Sequence, residues 1–322
     1  MSTDIDHAYR GVPALVLGGS GFIGAWTARA LHASGAAVTV AARDTGRAAV
    51  ALRTIARDVC VLGADLVEAT ALDALLESAR PSIVFNLAGY GVDASERDPV
   101  LMAALNARVV EGLCARLSGA MDDGWTGQRL VHAGSALEYG PVLGPLHEDM
   151  PLNPTTDYGR TKLQATRAIE TLGAMGFRGA VARLFTVYGP GEHPHRLLPA
   201  LVGTARRGER LALTAGRQPR DFTYVEDVAE GLLRLGASAA APGTVVNLAT
   251  GGLTTVREFA VTAATVLGFD PVLLDFSALP ERDEEMWHGP VDVSRLRRVL
   301  SWIPPTLPAD GIRRTWEFRD VG

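Results

Sequence analysis

Pro13-Ala14-Leu15-Val16-Leu17-Gly18-Gly19-Ser20-Gly21-Phe22-Ile23-Gly24 is the stretch that decides the fold. Residues 13–17 form a short, unbroken apolar run, which reads as a strand buried on both faces. Phe22 opens a helical pattern that continues to Ser34 and stops at Gly35. Between strand and helix the glycines fall as G-x-x-G-x-x-G (18, 21, 24) or as G-x-G-x-x-G (19, 21, 24). In either register the backbone turns tightly, approaches a pyrophosphate closely and offers it the free N–H groups of a helix start. This strand–turn–helix setting predicts dinucleotide binding by Gly18, Ser20, Gly21, Phe22, Ile23 and Gly24.

Outward from this turn, short apolar runs alternate with helical patterns. Runs at 37–41, 58–62, 82–87, 129–132 and 180–185 read as further strands, with helices between them, notably at 99–117 and 156–172. Strands that alternate with helices pair in parallel, and near-continuous apolar strands suit a sheet covered on both faces. The expected fold class is therefore α/β, a doubly wound parallel sheet. After Tyr188 the pattern loosens. Gly189-Pro190-Gly191 is loop chemistry, followed by a helix at 196–206, a short strand at 245–248 and a helix at 255–267. This predicts a dinucleotide-binding domain over 10–180, to which the chain returns around 222–250, and a smaller α/β C-terminal lobe over 181–322 that mainly binds substrate.

The 322 residues are 47% hydrophobic and carry a net charge of −5 with no basic stripe. That allows a substantial core and argues against nucleic acid as a partner. No apolar stretch approaches membrane-spanning length, and residues 1–10 are polar and carry acids, unlike a signal peptide. A cytoplasmic protein with a loose N-terminal tail and no membrane partner is expected. Cys60 and Cys114 lie in apolar runs and are expected to be reduced core thiols, with no metal site.

The end of the second strand selects the dinucleotide. An acid there holds the adenosine ribose hydroxyls and favours NAD. Here the strand ends in Val40-Ala41-Ala42-Arg43, so Ala42 stands where the acid would be. Arg43, with Arg47 one helical turn further on, suits the 2′-phosphate of NADP through charge-assisted hydrogen bonds. NADP is the cofactor expected. NAD is the alternative, since Asp44 lies one residue beyond the usual acid. Asp65, after the third strand and followed by Leu66, is placed to accept from the adenine amino group.

Of 31 lysines and arginines only one, Lys162, is a lysine, and Tyr158 stands four residues before it. With six tyrosines in the chain, a chance tyrosine at that spacing is on the order of one in fifty. On a helix the two side chains share one face. The ammonium is expected to favour the phenolate and so lower a phenol pKa that is about 10 when unperturbed. Tyr158 would then exchange a proton with a carbonyl or alcohol oxygen as hydride moves. Lys162 would also donate to the nicotinamide ribose, and a planar guanidinium does not fill both roles. Ser135, just past the fifth strand, can donate to the same substrate oxygen.

These residues resemble the extended short-chain dehydrogenase/reductases, the NAD-dependent epimerase/dehydratase family. The likeness runs along nearly the whole chain. It includes Gly18 to Gly24, Asn86-Leu87-Ala88-Gly89, Asn106, Ser135 to Gly140, Tyr158 to Lys162 and Arg183 to Gly191. It continues through Arg220 to Val228, then Asp292-Val293-Ser294 and Trp302. The resemblance implies a Rossmann-type domain, with Leu87, Ala88, Gly89 and Asn106 on the cofactor side, and a C-terminal lobe that binds a nucleotide-diphosphate sugar. Arg220 and Arg282 would hold the diphosphate. Thr186, His193 and Arg196 fall where the family faces its substrate, and Glu138 either faces the sugar or caps a turn. The resemblance also implies a homodimer, built on the helices around 99–117 and 156–172.

The family includes epimerases, 4,6-dehydratases, decarboxylases and ketoreductases. A dehydratase has an Asp-Glu pair directly after the active Ser or Thr, whereas Ser135 is followed by Ala136 and Leu137. The family's Arg-x-Phe-Asn segment ends here in Thr186. Because a ketoreductase consumes NADPH, Ala42 and Arg43 favour reduction of a nucleotide-linked 4-keto-6-deoxyhexose. An NAD-dependent nucleotide-sugar 4-epimerase is the alternative. A non-catalytic NADP-sensing protein is a third, which the intact Ser135, Tyr158 and Lys162 disfavour.

Overall fold

A computed structural model describes residues 3–53, 59–92, 95–119, 124–281 and 286–318, with backbone only for Thr3, Asp4, Arg47 and Ala51. The first half of the chain supplies strands β1 (Pro13–Leu17), β2 (Ala37–Ala42), β3 (Cys60–Gly63), β4 (Ile83–Asn86), β5 (Leu130–Ser135) and β6 (Gly179–Leu184). Short strands follow: β7 (Thr186–Tyr188), β8 (Leu211–Leu213), β9 (Pro219–Arg220) and β10 (Phe222–Tyr224). The chain then forms β11 (Thr244–Leu248), β12 (Thr254–Thr255) and β13 (Leu274–Phe276).

Seven of these make one sheet in the order β11-β6-β5-β4-β1-β2-β3, and every pairing in it is parallel. The winding reverses between β1 and β4, which opens a crevice at the carboxyl ends of these strands. The expected doubly wound α/β fold, of Rossmann type, is what forms. The remaining strands pair two by two, β10 with β7, β12 with β9 and β13 with β8.

The described helices are α1 (Thr3–Tyr9), α2 (Phe22–Ala33), α3 (Thr45–Leu52), α4 (Ala71–Ala79), α5 (Pro99–Ala103), α6 (Val109–Leu117), α7 (Asp157–Gly173), α8 (Leu197–Arg207), α9 (Val225–Ala237), α10 (Val256–Leu267), α11 (Ser294–Leu300) and α12 (Pro308–Glu317). Alternation along the strands sends side chains to two separate cores. Val16, Phe85 and Val131 pack with Trp26 and Leu31 of α2 and Leu232 of α9. Leu15, Leu17 and Val84 pack on the opposite face with Leu113 of α6 and Ile169 of α7. Each fully buried side chain of this kind contributes about 1.5–3 kcal/mol. Tyr188, Phe222, Phe259 and Ile312 belong to a third, separate hydrophobic cluster built from residues after β6. Among the described residues no helix is long and apolar enough to cross a membrane.

Three sequence expectations are corrected. The N-terminal segment is not a loose tail, because α1 buries Ile5 and Tyr9, and the Tyr9 hydroxyl donates to the Leu233 carbonyl at 2.7 Å. Cys60 is exposed, since its edge strand is covered less than the central ones, whereas Cys114 is buried and burial pushes its thiol up to about 12. The helix expected at 99–117 is interrupted by a π turn at Ala104–Arg108, which carries Asn106.

Candidate active site

Gly18 closes β1 with φ +71°, a conformation that disfavours any side chain, and a Cβ there would sit 2.6 Å from the Ala88 nitrogen. At Gly24 a Cβ would run into the Gly18 carbonyl oxygen, so the first turn of α2 lies directly on the strand end. The Gly21 N–H donates to that carbonyl at 3.0 Å, and no side chain caps α2. The first N–H groups of α2 therefore carry the helix's partial positive charge without a side-chain partner. Leu87 extends β4 beside the turn, its N–H donating to the Leu17 carbonyl at 3.0 Å. A glycine-rich turn with Ser20 as its one side chain, an uncapped helix start and the crevice beside them fit the pyrophosphate of a dinucleotide.

At the outer end of β2, Ala42 is buried while Arg43 and Asp44 are exposed. The side chain of Arg47 lies outside the described ones. Asp65 is exposed, and its Oδ1 accepts from the Val67 N–H at 3.1 Å. Leu66 is half-buried against the core beneath β3.

The helix carrying the Tyr/Lys pair starts where its sequence says it should. Thr156 caps α7 by accepting from the Gly159 N–H at 3.0 Å, and Asp157 occupies the first turn. Tyr158 and Lys162 share the face turned to the sheet, with the ammonium 5.8 Å from the phenol ring centre. Lys162 is buried and donates to the Ala133 carbonyl at 2.9 Å. Burial pulls its ammonium down to about 8, against a weaker upward pull from the Glu138 carboxylate. Ser135 ends β5, with its hydroxyl in hydrogen-bonding reach of Tyr158 and its Oγ accepting from the Leu137 N–H at 3.2 Å. The structure thus brings Ser135, Tyr158 and Lys162 together at the carboxyl end of β5.

The Tyr158 phenol departs from expectation in sign. Burial raises it well above its ordinary range and the Glu138 charge adds to the rise, while the Ser135 hydrogen bond opposes them. Desolvation is the largest contribution and outweighs the Ser135 and Arg196 contributions that oppose it. The phenol stays protonated at neutral pH.

Glu138 does not face a sugar. It is fully buried, accepting from the Ser135 N–H at 2.7 Å, from the Thr166 hydroxyl at 3.0 Å and from Arg183 Nε at 2.9 Å. Gly134 leaves room for it, since a Cβ there would lie 2.6 Å from Oε1. Asn106 is likewise engaged by protein. Its Oδ1 accepts from the Tyr90 N–H at 2.9 Å, and its Nδ2 donates to the Tyr90 carbonyl at 2.8 Å and the Thr161 hydroxyl at 3.1 Å. It fastens the 89–91 turn to α7, which sets exposed Gly89 close to the Lys162 ammonium.

Thr186 is half-buried, and its N–H donates to the Asp221 carbonyl at 3.0 Å. Arg220 reaches the backbone carbonyls of Pro219 and Met286. His193, His195 and Arg196 are exposed, and the Arg196 charge is close enough to act on Tyr158. Arg282 lies outside the described residues.

Sequence reasoning missed two acids. Glu96 receives the N–H groups of Gly91 and Val92 on one oxygen, at 2.8 and 3.1 Å. Glu192 is buried beside Arg196. No residue pattern marked either one, because their partners are set by loop conformation.

The model of the NAD-dependent epimerase/dehydratase family matches residues 14–249. The chain is 31% identical over 312 residues to a dTDP-6-deoxy-L-talose 4-dehydrogenase (NAD(P)(+)) of Kitasatospora kifunensis, covering 94% of this chain and 93% of that one. It is also 31% identical to a UDP-glucose 4-epimerase of Mycolicibacterium smegmatis, covering 94% and 97%. Among solved structures, MoeE5 in complex with UDP-glucuronic acid and NAD superposes with a TM-score of 0.79 at 28% identity, over 95% of this chain and 98% of that one. The glycine turn and the Ser135, Tyr158 and Lys162 cluster lie inside the matched region, and the chain belongs to the NAD-dependent epimerase/dehydratase family.

Proposed function

We propose that the protein is an NDP-sugar 4-ketoreductase, which reduces a nucleotide-linked 4-keto-6-deoxyhexose with NADPH. The observation that carries this reading is the placement of Tyr158, a half-buried phenol within hydrogen-bonding reach of the Ser135 hydroxyl, in surroundings that favour its protonated form. That is the donor form, suited to giving a proton to a carbonyl oxygen. Ala42 and the exposed Arg43 at the ribose end support NADP over NAD. The dTDP-sugar 4-dehydrogenase likeness supports redox chemistry at C4 of a nucleotide-linked 6-deoxyhexose.

In this reading Gly18, Ser20, Gly21, Phe22, Ile23 and Gly24 hold the pyrophosphate, and Arg43 takes the 2′-phosphate. When bound, the nicotinamide supplies the hydride. Ser135 and Tyr158 donate to the 4-carbonyl oxygen of the sugar, and Tyr158 releases its proton to that oxygen as negative charge develops there. Lys162 stabilises the phenolate left behind and donates to the ribose. Proton transfer of this kind is typically worth about 10²–10⁴-fold. Thr186, His193, Arg196 and Arg220 border the sugar and its diphosphate. A homodimer would use the helices around 99–117 and 156–172.

The 4-epimerase reading keeps support from the UDP-glucose 4-epimerase and from MoeE5 with UDP-glucuronic acid and NAD. It predicts NAD retained through purification and no net cofactor turnover. The test is nicotinamide absorbance with NDP-4-keto-6-deoxyhexoses. Steady loss of NADPH supports the reductase, and no loss with any of them overturns it.

A further inference from the structure

Glu96 lies between the turn after β4 and the start of α5, and no part of the chemistry described above uses it. The residue is half-buried, and its Oε2 accepts from two successive backbone N–H groups, those of Gly91 at 2.8 Å and Val92 at 3.1 Å. Two residues on, Asp98 caps α5 by accepting from the Val100 and Leu101 N–H groups at 2.9 and 3.1 Å. The turn itself has no room to spare. A Cβ on Gly91 would stand 2.6 Å from Cε of Met102 and 3.2 Å from Cδ2 of Tyr158. The Gly91 backbone is therefore seated directly on the ring of the reacting phenol.

We propose that Glu96 is a positioning residue for the Tyr158 chemistry, whose carboxylate clamps the Gly91 and Val92 amides, seats the turn against the phenol ring and so fixes the ring beside Ser135. The proposal rests on the reading of Tyr158 as the proton donor.

Two side chains share the holding of this turn. Asn106 takes the N–H and the carbonyl of Tyr90, and through the Thr161 hydroxyl it is tied to the helix that carries Tyr158. The next two amides along the chain converge on Glu96. Successive backbone N–H groups aimed at one point make a nest for an anion, and their bonds to a charged acceptor are stronger than neutral ones. Gly91 has φ +101°, so the residue laid on the ring is in a conformation that glycine alone takes readily. The seating matters because a misplacement of about 1 Å in a reacting group can cost on the order of 10²-fold in rate. The charge of Glu96 is a separate effect. It pushes the phenol up, as Glu138 does, while Ser135 and Arg196 pull the other way and Lys162 lies on the same helix.

The test places a fluorinated tyrosine at position 158 and reads its fluorine resonance in the protonated form, which needs no substrate. Glu96→Ala removes both clamp and charge. It is expected to shift and broaden the resonance and to lower kcat with a turned-over NDP-sugar about tenfold, with NADPH affinity unchanged. Glu96→Gln removes the charge but keeps an oxygen that accepts from both amides, and is expected to keep the wild-type resonance and most of kcat. Should Glu96→Ala not fold, Glu96→Asp keeps the charge one methylene short of the amides and is expected to move the resonance the same way by less. The proposal is overturned if neither Glu96→Ala nor Glu96→Asp moves the resonance, or if Glu96→Gln moves it as far as they do. If the resonance responds as expected but no NDP-sugar is reduced, the positioning role stands and the reductase reading fails.

Discussion

The Lys162 ammonium donates to the carbonyl oxygen of Ala133 at 2.9 Å, two residues before Ser135 on the same strand. One hydrogen bond therefore ties the α7 pair to the strand that presents the serine, and it fixes the spacing of all three polar groups. A guanidinium, longer and planar, does not fit this buried position. Lys162→Arg is expected to lower kcat by at least about 100-fold while circular dichroism stays that of wild type. Retained activity in a folded Lys162→Arg variant would remove the lysine from the chemistry.

Burial lowers the Lys162 ammonium from 10.5 to about 8 in the fold. Below about pH 8 the folded chain bears the full cost of a buried charge. Between about 8 and 10.5 the group is neutral when folded yet charged when unfolded, so the unfolded state holds more protons and stability rises with pH. A Lys162→Met variant should be more stable than wild type near neutrality, and that advantage, on the order of 3 kcal/mol, should vanish across the window. Urea denaturation of both proteins against pH reads it, and a pH-independent difference would contradict the desolvation.

Glu138 and Arg183 form a buried ion pair at 2.9 Å, both side chains almost wholly hidden. Removing one partner leaves the other charge unpaired, so Glu138→Ala should cost about 3–5 kcal/mol of stability. A contact to the sugar would instead raise KM and leave stability nearly unchanged. Thermal and chemical denaturation separate the two.

Gly24→Ala should abolish tight dinucleotide binding, because the added methyl meets the Gly18 carbonyl. A loss of at least about tenfold in affinity, 1.4 kcal/mol, is expected by titration of NADPH fluorescence. Arg43→Ala should weaken NADPH by a similar factor and leave NADH unchanged. Equal affinity of wild type for the two would remove the main support for NADP.

The sheet was legible because each strand announces itself locally, as an apolar run between turn residues at 13–17 or 82–87. The site's polar core was legible where a helix fixes geometry by spacing alone, as with Tyr158 and Lys162. What stayed hidden depends on distant partners. Tyr9 finds the Leu233 carbonyl 224 residues away, and Glu138 finds Arg183 45 residues on. The sequence places the fifth strand at 129–132, yet it runs to Ser135, and the absent Cβ of Gly134 admits the Glu138 carboxylate. The sign of the Tyr158 shift failed for a related reason, since spacing predicts neighbours but not the depth of burial.

The most direct test of the central claim follows the hydride. Enzyme, an NDP-4-keto-6-deoxyhexose and NADPH carrying deuterium at the transferable position are combined, and the sugar product is examined by mass spectrometry and NMR. The reductase account predicts one deuterium at C4 of each product sugar and an equal amount of NADP released. A 4-epimerised sugar without deuterium, formed with no change in nicotinamide, would contradict it.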